Sequence, residues 1–533
     1  MCGLLVVYSK ENHSTKVFKA HEKLSHRGPD DAQIVHYDEK CFLSFNRLAI
    51  MDTSHKGHQP FFDENNEYVI LCNGEIYNYQ DFFESFKDVY QFESESDCEV
   101  LIPLYKELGI EGMSKVLDAE FALVVYDKKK QKIFVSRDPL GVRPLFYGYL
   151  KNQKEEISFA SEAKALIDIC DEVYPFPPGH YYNGDGEFIS YEDLTDVKNV
   201  HHESRQEVTR KIKTLLTNAV VKRLVSDVPV GFLLSGGLDS ALVCSLANQN
   251  VKTPIWTFAV GINERPIDVK YAQIVADYLK SNHHTVLFTA EDMFKELSKI
   301  IYHLETWDIT TIRAGIGMYF VCQYIKQKTP IKVVLTGEVS DEIFGYKYTD
   351  FAPSPADFQQ EAVKRVKELY MYDVLRADRM ISAHSLEARI PFSDKDLIKY
   401  VMSLDPAIKM NTTGVGKALL REAFDNGEYL PHEILYREKA AFSDAVGHSM
   451  VDHLKKRADE MYSDEEFNEK VKKYEYARPF TKESLMYREI FEDHFPNQAS
   501  LIKDFWMPNK NWLNCAVNDP SARVLPNYGK SGE

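Results

Sequence analysis

The sequence predicts two unlike domains: an α+β half built mainly from short strands in two packed sheets, then an α/β half whose parallel sheet carries helices on both faces. Three observations carry that reading. The chain has 533 residues, and at about 150 residues per domain that length asks for more than one. From Gly3 to about Tyr191 short apolar and alternating runs are broken by turn signals, the texture of strands. Beyond Arg205 single buried strands alternate with helical periodicity, which implies a parallel sheet.

Taken in order, Leu4–Tyr8, Cys41–Ile50, Tyr68–Cys72, Phe121–Asp127, Lys132–Ser136 and Glu156–Ala160 read as strands. Asp97–Leu108 reads as a helix, with Val100, Leu101, Leu104 and Leu108 on one face. The polar stretch 193–204 reads as a linker between a domain at 2–192 and one at 205–515. In the second domain Arg205–Val225 is helical, Val230–Leu234 a buried strand and Ala241–Asn248 a helix. Ile255–Val260, Thr285–Phe288 and Lys332–Leu335 are further strands, with a helix at Lys270–Leu279 between the first two. Asp357–Arg379 and Leu454–Tyr462 read as helices. Residues 516–533, polar with Pro and Gly, are expected to be a mobile tail.

Composition narrows the function. Hydrophobic residues at 44% and charged residues at 27% suit a folded chain with real cores. The net charge of −17 disfavours nucleic acid and anionic membrane as partners. No apolar run approaches the roughly 18 residues that a bilayer span needs. Eight cysteines without a C-x-x-C pair or zinc spacing fit a reducing compartment, so the cytoplasm is expected.

One cysteine stands apart. Removal of Met1 before a small residue leaves Cys2 beside a free α-amino group, whose pKa near 8 lets it act as its own general base. An amide substrate then needs an oxyanion hole and a polar clamp. Asn73-Gly74-Glu75, at the end of the strand Tyr68–Cys72, offers a side-chain amide and a backbone N–H. Arg47 closes a strand and can hold a carboxylate bidentately; Asp97 can hold an ammonium.

A second constellation lies at Val230–Ser240. A buried strand runs into Ser235-Gly236-Gly237-Leu238-Asp239-Ser240 and then a helix, so backbone N–H groups at the turn make an anion nest. Asp239 in such a nest makes sense as a magnesium ligand. Neither G-x-x-x-x-G-K-[ST] nor G-x-G-x-x-G after a strand occurs, which argues against a Walker-type NTPase and a dinucleotide site. Thr336-Gly337-Glu338-Val339-Ser340-Asp341-Glu342 follows the strand Lys332–Leu335, so both loops fall at carboxyl ends of parallel strands. Lys439, in Arg437-Glu438-Lys439-Ala440-Ala441-Phe442-Ser443-Asp444, is a third candidate.

Met1-Cys2-Gly3, His26-Arg27-Gly28-Pro29-Asp30, Arg47-Leu48-Ala49-Ile50, Cys72-Asn73-Gly74-Glu75-Ile76-Tyr77-Asn78, Ser96-Asp97 and Ser136-Arg137-Asp138-Pro139-Leu140-Gly141 resemble, in order, the motifs of class II glutamine amidotransferases. SGGLDS resembles the signature of ATP pyrophosphatases. Together the halves resemble the glutamine-hydrolysing asparagine synthetases over roughly residues 2–500. Met371–Arg379, His384–Phe392, Thr481–Glu483 and Tyr487–Phe491 add matching text.

The resemblance implies an N-terminal nucleophile hydrolase α/β/β/α sandwich followed by an ATP pyrophosphatase domain. It implies that Cys2 attacks the γ-amide of glutamine, that Asn73 and Gly74 form the oxyanion hole, and that Arg47, Leu48, Ala49, Ile50, Glu75 and Asp97 surround the rest of the glutamine. It implies ATP contacts at Leu233, Ser235, Gly236, Gly237, Asp239, Ser240, Val260, Thr336 and Gly337, with magnesium on Asp239 and Asp341. Lys439 is implied at the α-phosphate, and Glu338 in ammonia attack on a β-aspartyl-AMP. Ammonia is expected to travel internally from Cys2 to the adenylate, and a homodimer is possible.

Two departures stand in the text. Relatives read Ser-Gly-Glu-Gly-Ser-Asp-Glu and then Phe-Gly-Gly-Tyr; here Thr336 and Val339 replace Ser and Gly, and Phe344-Gly345-Tyr346 has one Gly fewer. A β-branched Val does not take positive φ cheaply, so a changed loop after Glu338 is expected. Two alternatives stay open at this point: an amidotransferase of the same build acting on another carboxylate, and a catalytically silent scaffold.

Overall fold

A computed structural model describes residues 1–9, 14–38, 41–150, 153–262, 267–438 and 448–529. The chain divides into two units. The first comprises Met1–Asp193 with Val225–Pro229 and Ser382–Glu387; the second comprises Leu194–Leu224, Val230–Ile381 and Ala388–Glu533.

The first unit holds two six-stranded sheets. In one, the order from edge to edge is Glu172–Pro175, Phe146–Leu150, Gln153–Ala160, Gly3–Tyr8, Cys41–Arg47, Asp31–Asp38. In the other it is Phe188–Ser190, His180–Tyr182, Lys132–Arg137, Ala119–Asp127, Tyr68–Ile76, Phe61–Phe62. Period-2 alternation sorts the side chains of Tyr68–Ile76 between two cores. Val69 and Leu71 pack with Leu4, Val6, Leu43 and Phe45 between the sheets. Ile70 and Cys72 pack with Leu101, Leu104 and Met113 of the helix Leu101–Val116 on the outer side. With Ser14–Glu22 against the other sheet, the layers are α/β/β/α.

The second unit is built on a five-stranded sheet in the order Asn282–Phe288, Trp256–Ile262, Val230–Leu233, Val333–Leu335, Glu387–Arg389. The first four strands pair in parallel. The helices Leu238–Asn250, Ile267–Leu279 and Ile309–Lys328 connect or flank them.

Several expectations shift. Tyr68–Cys72 continues as a strand to Ile76, so Asn73-Gly74-Glu75 lie inside it and not at its end. Asp357–Arg379 is broken into the helices Pro355–Glu368 and Asp373–Ser382 by a turn at Leu369–Met371. Ile309–Lys328, buried almost all round, shows no amphipathic period to read. The tail does not hang free as far as Gly529: Ala522, Leu525 and Tyr528 are buried, an apolar residue every third position in polar text. Leu525 joins Cys515, Trp512, Tyr348 and Phe358 in one cluster.

Candidate active sites

In the first unit the strand Gly3–Tyr8 begins one residue after Cys2, which fixes the cysteine at the sheet's end. The Cys2 N–H donates to Asn73 Oδ1 at 2.8 Å, the Arg27 Nε to the Cys2 carbonyl at 2.8 Å, and the Leu48 N–H to Cys2 Sγ at 3.5 Å. Burial raises the Cys2 thiol above its ordinary value. Met1 is buried, its amine 3.6 Å from Glu387 Oε2, and burial pushes that amine down to about 6.

Asn73 is fully buried, and its Nδ2 has no hydrogen-bond partner among the described residues. The ladder pairs Asn73 with Ala122 and Glu75 with Glu120. By alternation, the N–H groups of Cys72, Gly74 and Ile76 face away from that neighbour. Cys72 N–H is taken by Gln59 Oε1 at 2.6 Å and Ile76 N–H by Asp97 Oδ2 at 2.8 Å. Gly74 N–H lies between them on the same side, beside the orphaned amide of Asn73. A side-chain amide with no acceptor among the described residues and a backbone N–H directed out of the ladder are the kinds of donor a developing oxyanion requires.

Arg47 is buried, and its guanidinium donates to the carbonyls of Ser54 at 2.8 Å and Met51 at 3.3 Å, with a further bond to that of Asp52. Among the described residues it makes no ion pair, and these carbonyls hold its charge in place. Leu48, Ala49 and Ile50 are buried directly after it; Ala49 N–H is fixed by Asp30 Oδ2 at 2.9 Å. Glu75 and Asp97 are buried too.

In the second unit a cavity of 530 Å³ is lined by Leu233, Ser235, Gly237, Asp239, Ser240, Val260, Thr336, Gly337, Glu338 and Asp341 among others. Gly236 is not in its lining; with φ +69° it makes the turn, and a Cβ there would lie 2.5 Å from Ala272 N. The turn is tied by Ser240 Oγ, which receives Ser235 N–H at 3.2 Å. A Cβ on Gly337 would lie 2.8 Å from Ser240 N, so only glycine lets the two loops touch. Thr336 Oγ1, buried in the cavity wall, lacks a hydrogen-bond partner among the described residues.

Val339 does take the left-handed conformation, φ 78° and ψ −19°, at the start of the helix Ser340–Phe344. A β-branched residue thus sits in a conformation that strains it. Lys417, not singled out by the sequence, brings its Nζ to 2.8 Å from Asp239 Oδ1, 2.6 Å from Asp341 Oδ1 and 2.9 Å from Ser340 Oγ. Arg376, also missed, lies 2.6 Å from Glu338 Oε2 and 2.6 Å from Asp373 Oδ1. Burial, then Asp373 and Asp341, raise Glu342 well above the carboxylate range. A lysine inside Gly414-Val415-Gly416-Lys417 was the one available cue. Lys439 lies outside the described residues.

Two family models match the chain: a glutamine amidotransferase domain over residues 1–176, and asparagine synthase over 211–356 and 351–518. A probable glutamine-hydrolysing asparagine synthetase of Acanthamoeba polyphaga mimivirus is 40% identical, covering 95% of this chain and 96% of its own. The Mus musculus asparagine synthetase is 38% identical with 99% of each chain covered, and that of Zea mays 37% identical with 99% and 94% covered. With a nucleophile site in one unit, a phosphate-loop cavity in the other and full-length relatives at this identity, the chain belongs to the glutamine-hydrolysing asparagine synthetases.

Proposed function

We propose that the chain makes L-asparagine from L-aspartate and ATP with nitrogen from glutamine, hydrolysing glutamine at Cys2 and activating aspartate in the 530 Å³ cavity of the second unit. The observation that carries the glutaminase reading is the orphaned Asn73 Nδ2 beside the outward Gly74 N–H, next to Cys2.

Excision of Met1 turns the Cys2 N–H into an amine that keeps its contact to Asn73 Oδ1. That amine takes the thiol proton as sulfur attacks the γ-carbonyl, and returns it to the leaving ammonia. The Leu48 N–H supports the thiolate; Asn73 and Gly74 receive the oxyanion. Arg47 holds the glutamine α-carboxylate, Glu75 and Asp97 the ammonium, and Leu48, Ala49 and Ile50 wall the aliphatic part. Water then releases glutamate.

In the second unit Leu233 and Val260 flank adenosine, and the 235–240 turn with Thr336 and Gly337 cradles the phosphates. Asp239 and Asp341 would hold a magnesium ion, since they already converge on one cation, the Lys417 ammonium, and such an ion would supply positive charge against the leaving pyrophosphate. The aspartate β-carboxylate displaces pyrophosphate from the α-phosphorus, Lys439 meets the charge there, and Glu338, oriented by Arg376, takes a proton from the attacking ammonia. The product pair is asparagine and AMP. The sequence division at 193–204 marks the passage from one catalytic half to the other, and ammonia passes between the two sites without release. Eight free cysteines suit a reducing compartment such as the cytoplasm.

The test is Cys2→Ala. Glutamine-supported synthesis should vanish while synthesis from added ammonium persists, measured as asparagine and pyrophosphate; loss of both sinks the two-site scheme.

A further inference from the structure

The 3₁₀ turn Lys347–Phe351 follows directly on the shortened Phe344-Gly345-Tyr346 text, the place where this chain departs from the family wording. Against that turn lies the segment that the sequence offers as a tail. Lys347 Nζ donates to the carbonyls of Asn527 at 3.0 Å and Tyr528 at 3.4 Å. In return Asn527 Nδ2 donates to the Lys347 carbonyl at 2.7 Å and to Asp350 Oδ2 at 3.0 Å. Each partner holds the other's backbone, so neither side can lift without breaking both sets of bonds.

The segment is pinned at its near end as well. Asp519 meets Arg313 Nη1 at 2.9 Å and also pairs with Lys455. Ala522, between the two anchors, and Tyr528, at the far one, pack on Tyr346. Pro520, Ala522, Asn527 and Gly529 line the same cavity as Glu338 and Asp341. At the far end a Cβ on Gly529 would stand 3.3 Å from Glu438 Oε2, one residue before Lys439.

We propose that Asp519–Gly529 is a wall of the synthetase cavity, latched by Lys347 and Asn527, whose task is to keep water from activated aspartate. The proposal rests on the adenylate reading given above. A β-aspartyl adenylate that meets water instead of ammonia is lost: the water oxygen attacks the β-carbonyl carbon, the acyl–phosphate bond breaks, and aspartate, AMP and a proton return. ATP is then consumed with no asparagine made, which is why such sites must be closed. Lys347 and Asn527 act through the wall and not on the substrate; they are positioning residues.

The experiment measures pyrophosphate released and asparagine formed, with ammonium as nitrogen source, in Lys347→Met, Lys347→Arg and Asn527→Ala chains. Wild type should release the two in equal amounts. Lys347→Met and Asn527→Ala should release several-fold more pyrophosphate than asparagine, and Lys347→Arg, which can still donate to both carbonyls, should restore the balance. Glutaminase activity, read in the other unit, should not change in any of them. A merely structural segment would lower both products together, and an unchanged ratio in both variants overturns the proposal. If Lys347→Met loses its cooperative unfolding transition, Asn527→Ala, which removes only the amide, decides alone. Transfer of oxygen label from the aspartate carboxylate to AMP in wild type tests the adenylate separately: no label sinks that reading, whereas label with an unchanged ratio sinks the wall.

Discussion

Asn73 carries two opposed tasks in one amide. Its oxygen receives the Cys2 N–H, and that bond fixes which way the amide faces, leaving Nδ2 buried and without a partner among the described residues. A buried donor without a partner costs about 1–3 kcal/mol, which a ligand oxygen can recover. Asn73→Ala should lower glutaminase kcat by about a hundred- to a thousandfold, the usual cost of one oxyanion donor, with little change in KM for glutamine; a KM effect alone would make Asn73 a binding residue. Val339 shows strain of another kind. Its φ of 78° costs on the order of 1–3 kcal/mol in a β-branched residue, of which glycine's extra unfolded-state freedom returns roughly 0.5–1 kcal/mol. Because the Val339 side chain is buried and its removal costs about 1.5–3 kcal/mol, Val339→Gly should destabilise the second unit by no more than about 1 kcal/mol, read by urea unfolding, and a loss above about 3 kcal/mol would mean that the backbone there carries no strain for glycine to relieve. The sequence already exposed Cys2, Asn73, Asp239 and Asp341, because each lies in a short motif whose chemistry is local. It hid Lys417 and Arg376, whose partners are distant in sequence: Lys417 lies 178 residues from Asp239, and Arg376 lies 38 from Glu338.

Among the elements, the strand Tyr68–Ile76 shows how far local pattern reaches. Its apolar run ends at Cys72, so the sequence ends the strand there, yet Asn73, Gly74 and Glu75 stay paired because Ala119–Asp127 runs alongside. Strand ends are set by the neighbour, which one segment's text does not contain. The same blindness applies to Asp519–Gly529, polar by composition and anchored by charge. Burial alone would raise the Asp519 carboxyl, but Arg313 and Lys455 overcome it and hold it at about 2, below its usual 3.8. A depressed carboxyl contributes stability that is present above its unfolded pKa and lost as pH falls from about 4 towards 2. Asp519→Asn should then cost the second unit on the order of 2 kcal/mol at neutral pH. The gap to wild type should narrow as pH falls below about 4 and close only near pH 2, as urea midpoints across that range would show. A gap independent of pH would mean that packing, not charge, holds the segment.

For the whole molecule, two catalytic halves make separable losses. Lys417 holds two carboxylates whose mutual repulsion it relieves, and removing one partner of such a buried group costs about 3–5 kcal/mol. Lys417→Met should lower the unfolding temperature of the second unit and abolish asparagine formation, while glutamine hydrolysis in the first unit continues. Added magnesium should recover part of the lost unfolding temperature in Lys417→Met, and more than it raises wild type, because the carboxylate pair is then free to take a divalent cation. Equal responses in both proteins would take Asp239 and Asp341 out of the metal site. The two-half architecture was legible from texture and motifs; the exact partition was not, since Val225–Pro229 and Ser382–Glu387 belong to the first unit although they are embedded in the text of the second.

That interleaving bears on how such proteins can be recombined. Arg27 Nη1 donates to Ser382 Oγ at 3.0 Å, Ser385 Oγ donates to the His26 carbonyl at 2.7 Å, and Glu387 faces the Met1 amine. A fragment cut after Asp193 would keep the nucleophile and lose these buttresses, and a chimera joined there would set one parent's residues 382–387 against the other parent's Arg27 and Cys2 surroundings. Grafting the amidase half between relatives therefore means transplanting three stretches of gene, not one.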